Sequence, residues 1–264
     1  MKERRVSDII GYLQENKMAS LDALCDSFGV SKNTVRRDVS ELVNRGLVHK
    51  VYGGIVLNDG VPPLGDPKVI PYLSRMNEDI SAKQLIGRLA AALVEDGDTV
   101  FIDAGTTVPN MLPHIAGRHN LHIVTNSLCA LNEAKRFGLE TYCLGGEYMP
   151  NTDSFAGALS ALQDVHITKA FMGASLMDIS GATNYSYHEA EMKRAVISKA
   201  DKTIIMAAGS KFGRAATIVF CPMDRVSSIV SDQEPPPEFF PALHDYGIQL
   251  LCGGKEEAPC EGGP

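Results

Sequence analysis

Residues 20–46 read SLDALCDSFGVSKNTVRRDVSELVNRG, and the reading of this stretch decides the fold of the N-terminal part. Ser20 is placed to cap a helix that buries Leu21, Leu24 and Phe28. Gly29 supplies the backbone freedom that a tight turn needs. Ser31 then caps a further helix, in which Val35, Val39, Leu42 and Val43 recur at helical spacing and face inward. Gly46 ends it. Two helices joined by a turn of about four residues that contains Gly make a helix-turn-helix. Upstream, Val6, Ile9, Ile10 and Leu13 form one apolar face of a preceding helix. Downstream, Leu47–Leu57 alternates enough to predict a small hairpin, a wing, turning at Gly53-Gly54.

The outward face of the helix after Ser31 carries Lys32, Asn33, Thr34, Arg36, Arg37 and Ser40. Arg forks onto guanine, Asn pairs with adenine, and Lys or Ser holds phosphate. Residues near the start of such a helix enter the major groove first. Any one of these side chains alone suits a solvated helix face. The whole set, at turn spacing after Gly29, favours double-stranded DNA. Lys50 on the predicted wing is placed to touch phosphate, whereas His49 has no Cys or His partner nearby and reads as a surface residue.

Charge is distributed to match. The 264-residue chain has a net charge of −7. Residues 1–57 hold 9 Lys/Arg against 7 Asp/Glu, and the remainder holds 16 against 25. A weakly basic head on an acidic body confines any nucleic-acid contact to one end. The chain is 44% hydrophobic, lacks Trp and has 6% aromatic residues, so it builds a mainly aliphatic core. The six cysteines form no C-x-x-C pair and no zinc-ligand spacing, which reads as reduced thiols in cytosol without a metal or cofactor. No apolar run approaches about 18 residues, so no membrane-spanning segment is expected.

Residues 58–76, rich in Gly and Pro up to Pro71, read as a linker. From residue 77 to 252, short apolar strands alternate with amphipathic helices. The predicted strands are Thr99–Asp103, His122–Thr125, Glu140–Leu144, Lys169–Gly173, Lys202–Ala207 and Ser227–Ser231, with helices at Ala82–Val94, Leu128–Phe137 and His188–Ala200. A short helix and strand over Glu238–Leu251 close the domain. This is an α/β pattern with a mostly parallel sheet. The tail, residues 253–264, is expected to be disordered.

Several predicted strands end in small or hydroxyl-bearing residues. Asp103-Ala104-Gly105-Thr106-Thr107 follows the first, Thr125-Asn126-Ser127 the second, Gly145-Gly146-Glu147 the third and Gly173-Ala174 the fourth. Ligands of open α/β sheets bind along that edge, where such residues expose donors for an anion. A sugar phosphate also needs cations for its phosphate and carboxylates or amides for its hydroxyls. Lys211 and Lys193 are candidates for the first, Glu189 and Asp103 for the second. Glu189 and Lys193 also suit plain i,i+4 pairing on a solvated helix, so both readings stay open.

The string Phe28-Gly29-Val30-Ser31-Lys32-Asn33-Thr34-Val35-Arg36-Arg37-Asp38-Val39, then Gly46-Leu47 and Tyr52-Gly53-Gly54, resembles the DeoR family of bacterial regulators. The second half resembles its effector domain through Asp-Ala-Gly-Thr-Thr, Thr-Asn-Ser, Gly-Gly-Glu, Glu-Ala-x-x-Lys and Ser-Lys-Phe-Gly. The resemblance implies a winged helix-turn-helix over residues 1–57 and an oligomerising sensor domain over 77–252, similar in fold to ribose-5-phosphate isomerase. It implies that Ser31, Lys32, Asn33, Thr34, Arg36 and Arg37 meet the operator. It also implies a phosphorylated sugar or polyol as effector, held by Asp103, Gly105, Thr106, Thr107, Thr125, Asn126, Ser127, Gly145, Gly146, Gly173, Glu189, Lys193 and Lys211. The chain departs from the family pattern at Ala208, where Asp is frequent, and at Ser175-Leu176. The expected function is a homo-oligomeric repressor of carbohydrate-catabolism genes. The alternatives are a sugar-phosphate isomerase, with Glu189 or Glu191 as base, and a constitutive DNA-binding protein.

Overall fold

The structure, a computed structural model, describes residues 2–16, 18–44, 47–51, 54–57, 72–157 and 159–253. The predicted helix stop at Gly46, Gly53 of the predicted Gly53-Gly54 wing turn, most of the linker and the tail from residue 254 lie outside the described residues. The chain divides into two compact units, Met1–Pro67 and Lys68–Pro264.

The first unit runs α1 (Lys2–Asn16), β1 (Met18–Ala19), α2 (Leu21–Phe28), α3 (Lys32–Asn44), β2 (Val48–Val51) and β3 (Gly54–Leu57). Ser20 Oγ accepts the Ala23 N–H at 3.0 Å and so caps α2. Gly29, at φ 62°, closes α2 in the left-handed conformation. Val6, Ile9, Leu13, Leu24, Val35, Val39, Leu42 and Ile55 form the buried aliphatic centre. The antiparallel strands lie in the order β1-β3-β2. A side chain at Gly54 would meet the Ala19 carbonyl oxygen at 2.2 Å, so β3 approaches β1 closely because residue 54 has none.

The second unit begins with α4 (Tyr72–Met76) and α5 (Ile80–Ala91); α4 falls inside the stretch read as linker. Then come β4 (Thr99–Ile102), α6 (Leu112–Ile115), β5 (His122–Thr125), α7 (Leu128–Arg136) and β6 (Thr141–Cys143). A hairpin follows, β7 (Gly146–Met149) with β8 (Ser154–Gly157). The chain continues with β9 (Ile167–Gly173), β10 (Leu176–Asp178), β11 (Gly181–Asn184), α8 (Tyr187–Ile197) and β12 (Ala200–Met206). It closes with β13 (Ile218–Pro222), β14 (Ser228–Ser231), α9 (Phe240–Asp245) and β15 (Gln249–Cys252).

Seven strands form one sheet in the order β15-β14-β12-β9-β4-β5-β6. Every pairing in it is parallel. Apolar layers cover it on both sides, one including Phe101, Met172, Ile205 and Phe220, the other Ile86, Ile102, Phe171 and Val230. Burial on both faces accounts for the near-continuous apolar strands of the sequence. The chain order runs outward from β4 in one direction and from β9 in the other. The strand ends of β4 and β9 therefore flank the crevice where open α/β sheets take ligands. β10, β11 and β13 make a small antiparallel sheet beyond that edge.

Candidate functional site

The crevice between β4 and β9 is organised by Asp103. Its Oδ2 accepts the Gly173 N–H at 3.0 Å and the Lys193 ammonium at 2.8 Å. Both side chains are buried. A Cβ on Gly173 would stand 3.3 Å from Asp103 Oδ2, and Gly105 Cα is 3.6 Å away, so two glycines make room for the carboxylate. Lys193, on α8, also donates to the Gly173 carbonyl and lies 4.8 Å from the centre of the Phe220 ring.

Above this pair lies a cavity of about 140 Å³. The sequence-predicted Gly105, Thr106, Thr107, Gly173, Glu189, Lys193 and Lys211 all line it. Asn110 Nδ2 holds the turn after β4 by donating to the Thr106 and Thr107 carbonyls, each at 2.9 Å. Asn184 links Ser175 to Glu189. It accepts the Ser175 hydroxyl at 2.6 Å, and its Nδ2 donates to Glu189 Oε2 at 2.9 Å. Ser175, one departure from the family pattern, is thus part of the wall, and Ala208, the other, lines it too.

Two cations that sequence reasoning missed complete the cavity, Arg75 in the last turn of α4 and Lys83 on α5. Lys83 is buried, and its ammonium donates to the Arg75 and Glu78 carbonyls. A signal for it existed, because Lys83 shares the inward spacing of Ile86 and Ala90. Arg75 had none, since it lies in the supposed linker. Burial holds the Lys83 ammonium below its ordinary range, against the pull of Glu78 and Asp79. Lys211 donates to the Ala174 carbonyl at 2.7 Å. Its ammonium is pushed down to about 8, first by burial and then by the positive charges of Arg75, Lys193 and Lys83. Burial likewise raises the Glu189 carboxyl, with Lys193 and Arg75 opposing. Four cationic side chains thus face one small cavity together with the carboxylates of Glu78, Asp79 and Glu189, and the like charges around Lys211 add to the effect of its burial.

The remaining predicted residues lie elsewhere. Thr125 donates to the Ile102 carbonyl at 2.6 Å, and its oxygen receives the Ser127 N–H at 3.0 Å. Ser127 Oγ caps α7 through the Ala130 N–H. Both are spent on holding the end of β5. Asn126 lines a second cavity beneath the β7–β8 hairpin. Gly145 and Gly146 lie between β6 and that hairpin, with Gly146 opening β7 opposite Gly157, and they line neither cavity.

In the first unit, Ser31 Oγ accepts the Thr34 N–H at 3.3 Å and is 2.9 Å from the Thr34 hydroxyl. Those two residues thereby start α3. Lys32, Asn33, Arg36 and Arg37 stand exposed on its outer face. Lys32 meets Asp22 of α2 at 2.6 Å, with both partners exposed. Asp38 is different: it is buried and grips Arg5 of α1 through two bonds, Nε–Oδ2 at 2.5 Å and Nη2–Oδ1 at 3.2 Å. The Arg-Arg-Asp string therefore splits into two outward arginines and one inward anchor. Lys50 belongs to β2, on the edge of the small sheet; its side chain lies outside what is described.

Among the described residues, no cluster of three or more His, Cys, Asp or Glu is placed to hold a metal ion. No helix among them is long and apolar enough to cross a membrane.

Comparison with known proteins fits these two units. A family model described as the DeoR C-terminal sensor domain matches residues 78–233, and one described as a DeoR-like helix-turn-helix domain matches residues 5–61. The HTH-type transcriptional regulator IolR of Bacillus subtilis is 34% identical over 256 residues, 95% of this chain and all of that one. The glycerol-3-phosphate regulon repressor of Escherichia coli is 30% identical over 255 residues, covering 94% of this chain and 98% of its own. The lactose phosphotransferase system repressor of Staphylococcus aureus is 28% identical over 238 residues, 88% of this chain and 93% of that one. Among solved structures, ribose 5-phosphate isomerase A from Neisseria gonorrhoeae aligns over 49% of this chain and 52% of its own, at 15% identity and a TM-score of 0.39.

Proposed function

The chain belongs to the DeoR family of DNA-binding transcriptional regulators, and on that premise we propose that it represses carbohydrate-catabolism genes until a phosphorylated sugar or polyol enters the crevice between β4 and β9. The observation that carries this reading is the convergence of Arg75, Lys83, Lys193 and Lys211 on one small cavity that also presents Thr106, Thr107 and the Asn184–Glu189 pair. Cations suit a phosphate, and the amide and carboxylate suit hydroxyls. The names of the relatives agree, since two of them refer to glycerol 3-phosphate and to a lactose phosphotransferase system.

In the first unit, α3 enters the major groove of an operator. Arg36, Arg37 and Asn33 read base edges; Ser31, Lys32 and Thr34 hold the backbone, with Lys50 of the wing beside them. Operators with repeated half-sites require a homo-oligomer. The ligand acts by binding one conformation more tightly than the other, because only differential affinity moves such an equilibrium. No catalysis enters this reading, so ribose 5-phosphate incubated with the purified chain is expected to remain unchanged.

The test uses a duplex selected by the full chain from a random library. Its retention by the protein is measured against a panel of sugar and polyol monophosphates. Release by at least one member, with no effect of the unphosphorylated parent, is the expected result. A panel without any response, alongside tight DNA binding, would leave a constitutive DNA-binding protein.

A further inference from the structure

A second cavity, of about 290 Å³, lies under the β7–β8 hairpin, and Glu189 lines both it and the cationic one. Its charge differs, since the first cavity sets four cations beside Glu78, Asp79 and Glu189. The second is lined by no Lys or Arg, and Glu147 and Glu191 join Glu189 around it. At its wall Asn126 is only 6% exposed, and its Nδ2 donates to the Phe155 carbonyl at 3.2 Å. That bond fixes the amide, because the reversed orientation would set two oxygens face to face. Asn126 Oδ1 is left buried and, among the described residues, without a partner. A buried acceptor without a donor is costly and uncommon.

We propose that this second cavity is the receiving end for the hydroxylated tail of the effector. The ligand lies past Glu189 with its phosphate among the four cations and a distal hydroxyl donating to Asn126 Oδ1. This rests on the phosphosugar reading above and narrows it. The effector class becomes a monophosphate with a hydroxyl well removed from the phosphate, rather than phosphate itself or a three-carbon ester. Oδ1 is sealed from solvent, so the hydroxyl reaches it with a small outward shift of the hairpin. That hairpin belongs to no larger sheet. It is tied to Asn126 by the Nδ2 bond and by the Phe155 N–H, which donates to the Asn126 carbonyl at 2.8 Å.

Calorimetric titration of the full chain tests it, using inorganic phosphate and terminal polyol monophosphates of three to six carbons. Wild-type affinity is expected to rise once the chain reaches the second cavity. Asn126→Leu, checked for folding by its thermal melt, is expected to erase that rise by about tenfold or more, as loss of a buried hydrogen bond does. Affinity for inorganic phosphate should not change. A flat length series in the wild type, or Asn126→Leu indistinguishable from wild type on the longer esters, overturns the inference and leaves the phosphate reading intact. Failure of phosphate and every ester to bind the wild type overturns both. If Asn126→Leu does not fold, Asn126→Ser replaces it, and the wild-type length series decides by itself.

Discussion

At the scale of single residues, the roles of the two units should separate cleanly. Arg36 is exposed on the outer face of α3, so its side chain can be removed without uncovering the core. Arg36→Ala is expected to weaken operator binding by about tenfold to a hundredfold, the worth of a bidentate base contact, with phosphosugar titration unaltered. Lys211→Ala is expected to do the reverse, keeping DNA affinity while abolishing ligand-driven release in the same retention assay. Equal loss of both properties in either variant would refute the assignment. Asp38 makes a third case. Its neighbours in the string face outward, yet its carboxylate is buried against Arg5. Asp38→Ala leaves the α1 guanidinium without its anchor, and thermal unfolding of the first unit should fall by several degrees. Helical spacing already set Asp38 with Val35 and Leu42, apart from the outward Arg36 and Arg37, but its charge gave no hint of a buried partner, because Arg5 lies on another helix.

Elements were more legible than residues wherever periodicity was strong. The predicted strands of the parallel sheet coincide with β4, β5, β6, β9, β12 and β14 to within two residues. Their apolar runs are dictated by burial on both faces. The β7–β8 hairpin escaped because Gly146–Met149 is largely exposed and carries no alternation to read, and the β10–β11 hairpin because its strands are only three and four residues long, too short to show a period. That omission also hid that Gly145 and Gly146, which follow β6, lead straight into a hairpin and line neither cavity. Helix α4 escaped because five residues after a proline-rich stretch show less than two turns of period. The close packing of β1 on β3 supplies the prediction at this scale. Gly54→Ala drives a methyl into the Ala19 carbonyl, so the strand pairing is expected to open. Both the melt of the first unit and operator retention should then decline, and unchanged values for both would show that β3 can retreat at no cost.

For the molecule as a whole, the reading requires more than one copy on DNA. Light scattering behind size exclusion is expected to show a dimer or larger assembly, and a monomer at operator-saturating concentration would count against it. Binding should also weaken with added salt, since the outward face of α3 is cationic. The low-lying Lys211 ammonium has a consequence of another kind. In the fold it is partly neutral near pH 8, whereas its unfolded counterpart stays protonated to about 10.5. Folding is therefore penalised in full below pH 8, and the penalty fades as pH climbs from 8 towards 10.5. An arriving dianion reverses the bias and draws a hydrogen ion out of the buffer. Heats of titration near pH 8 should then differ between phosphate-free buffers of unequal ionisation enthalpy, by an amount that vanishes in Lys211→Ala. The regulator would thus register alkalinity and metabolite through the same nitrogen atom.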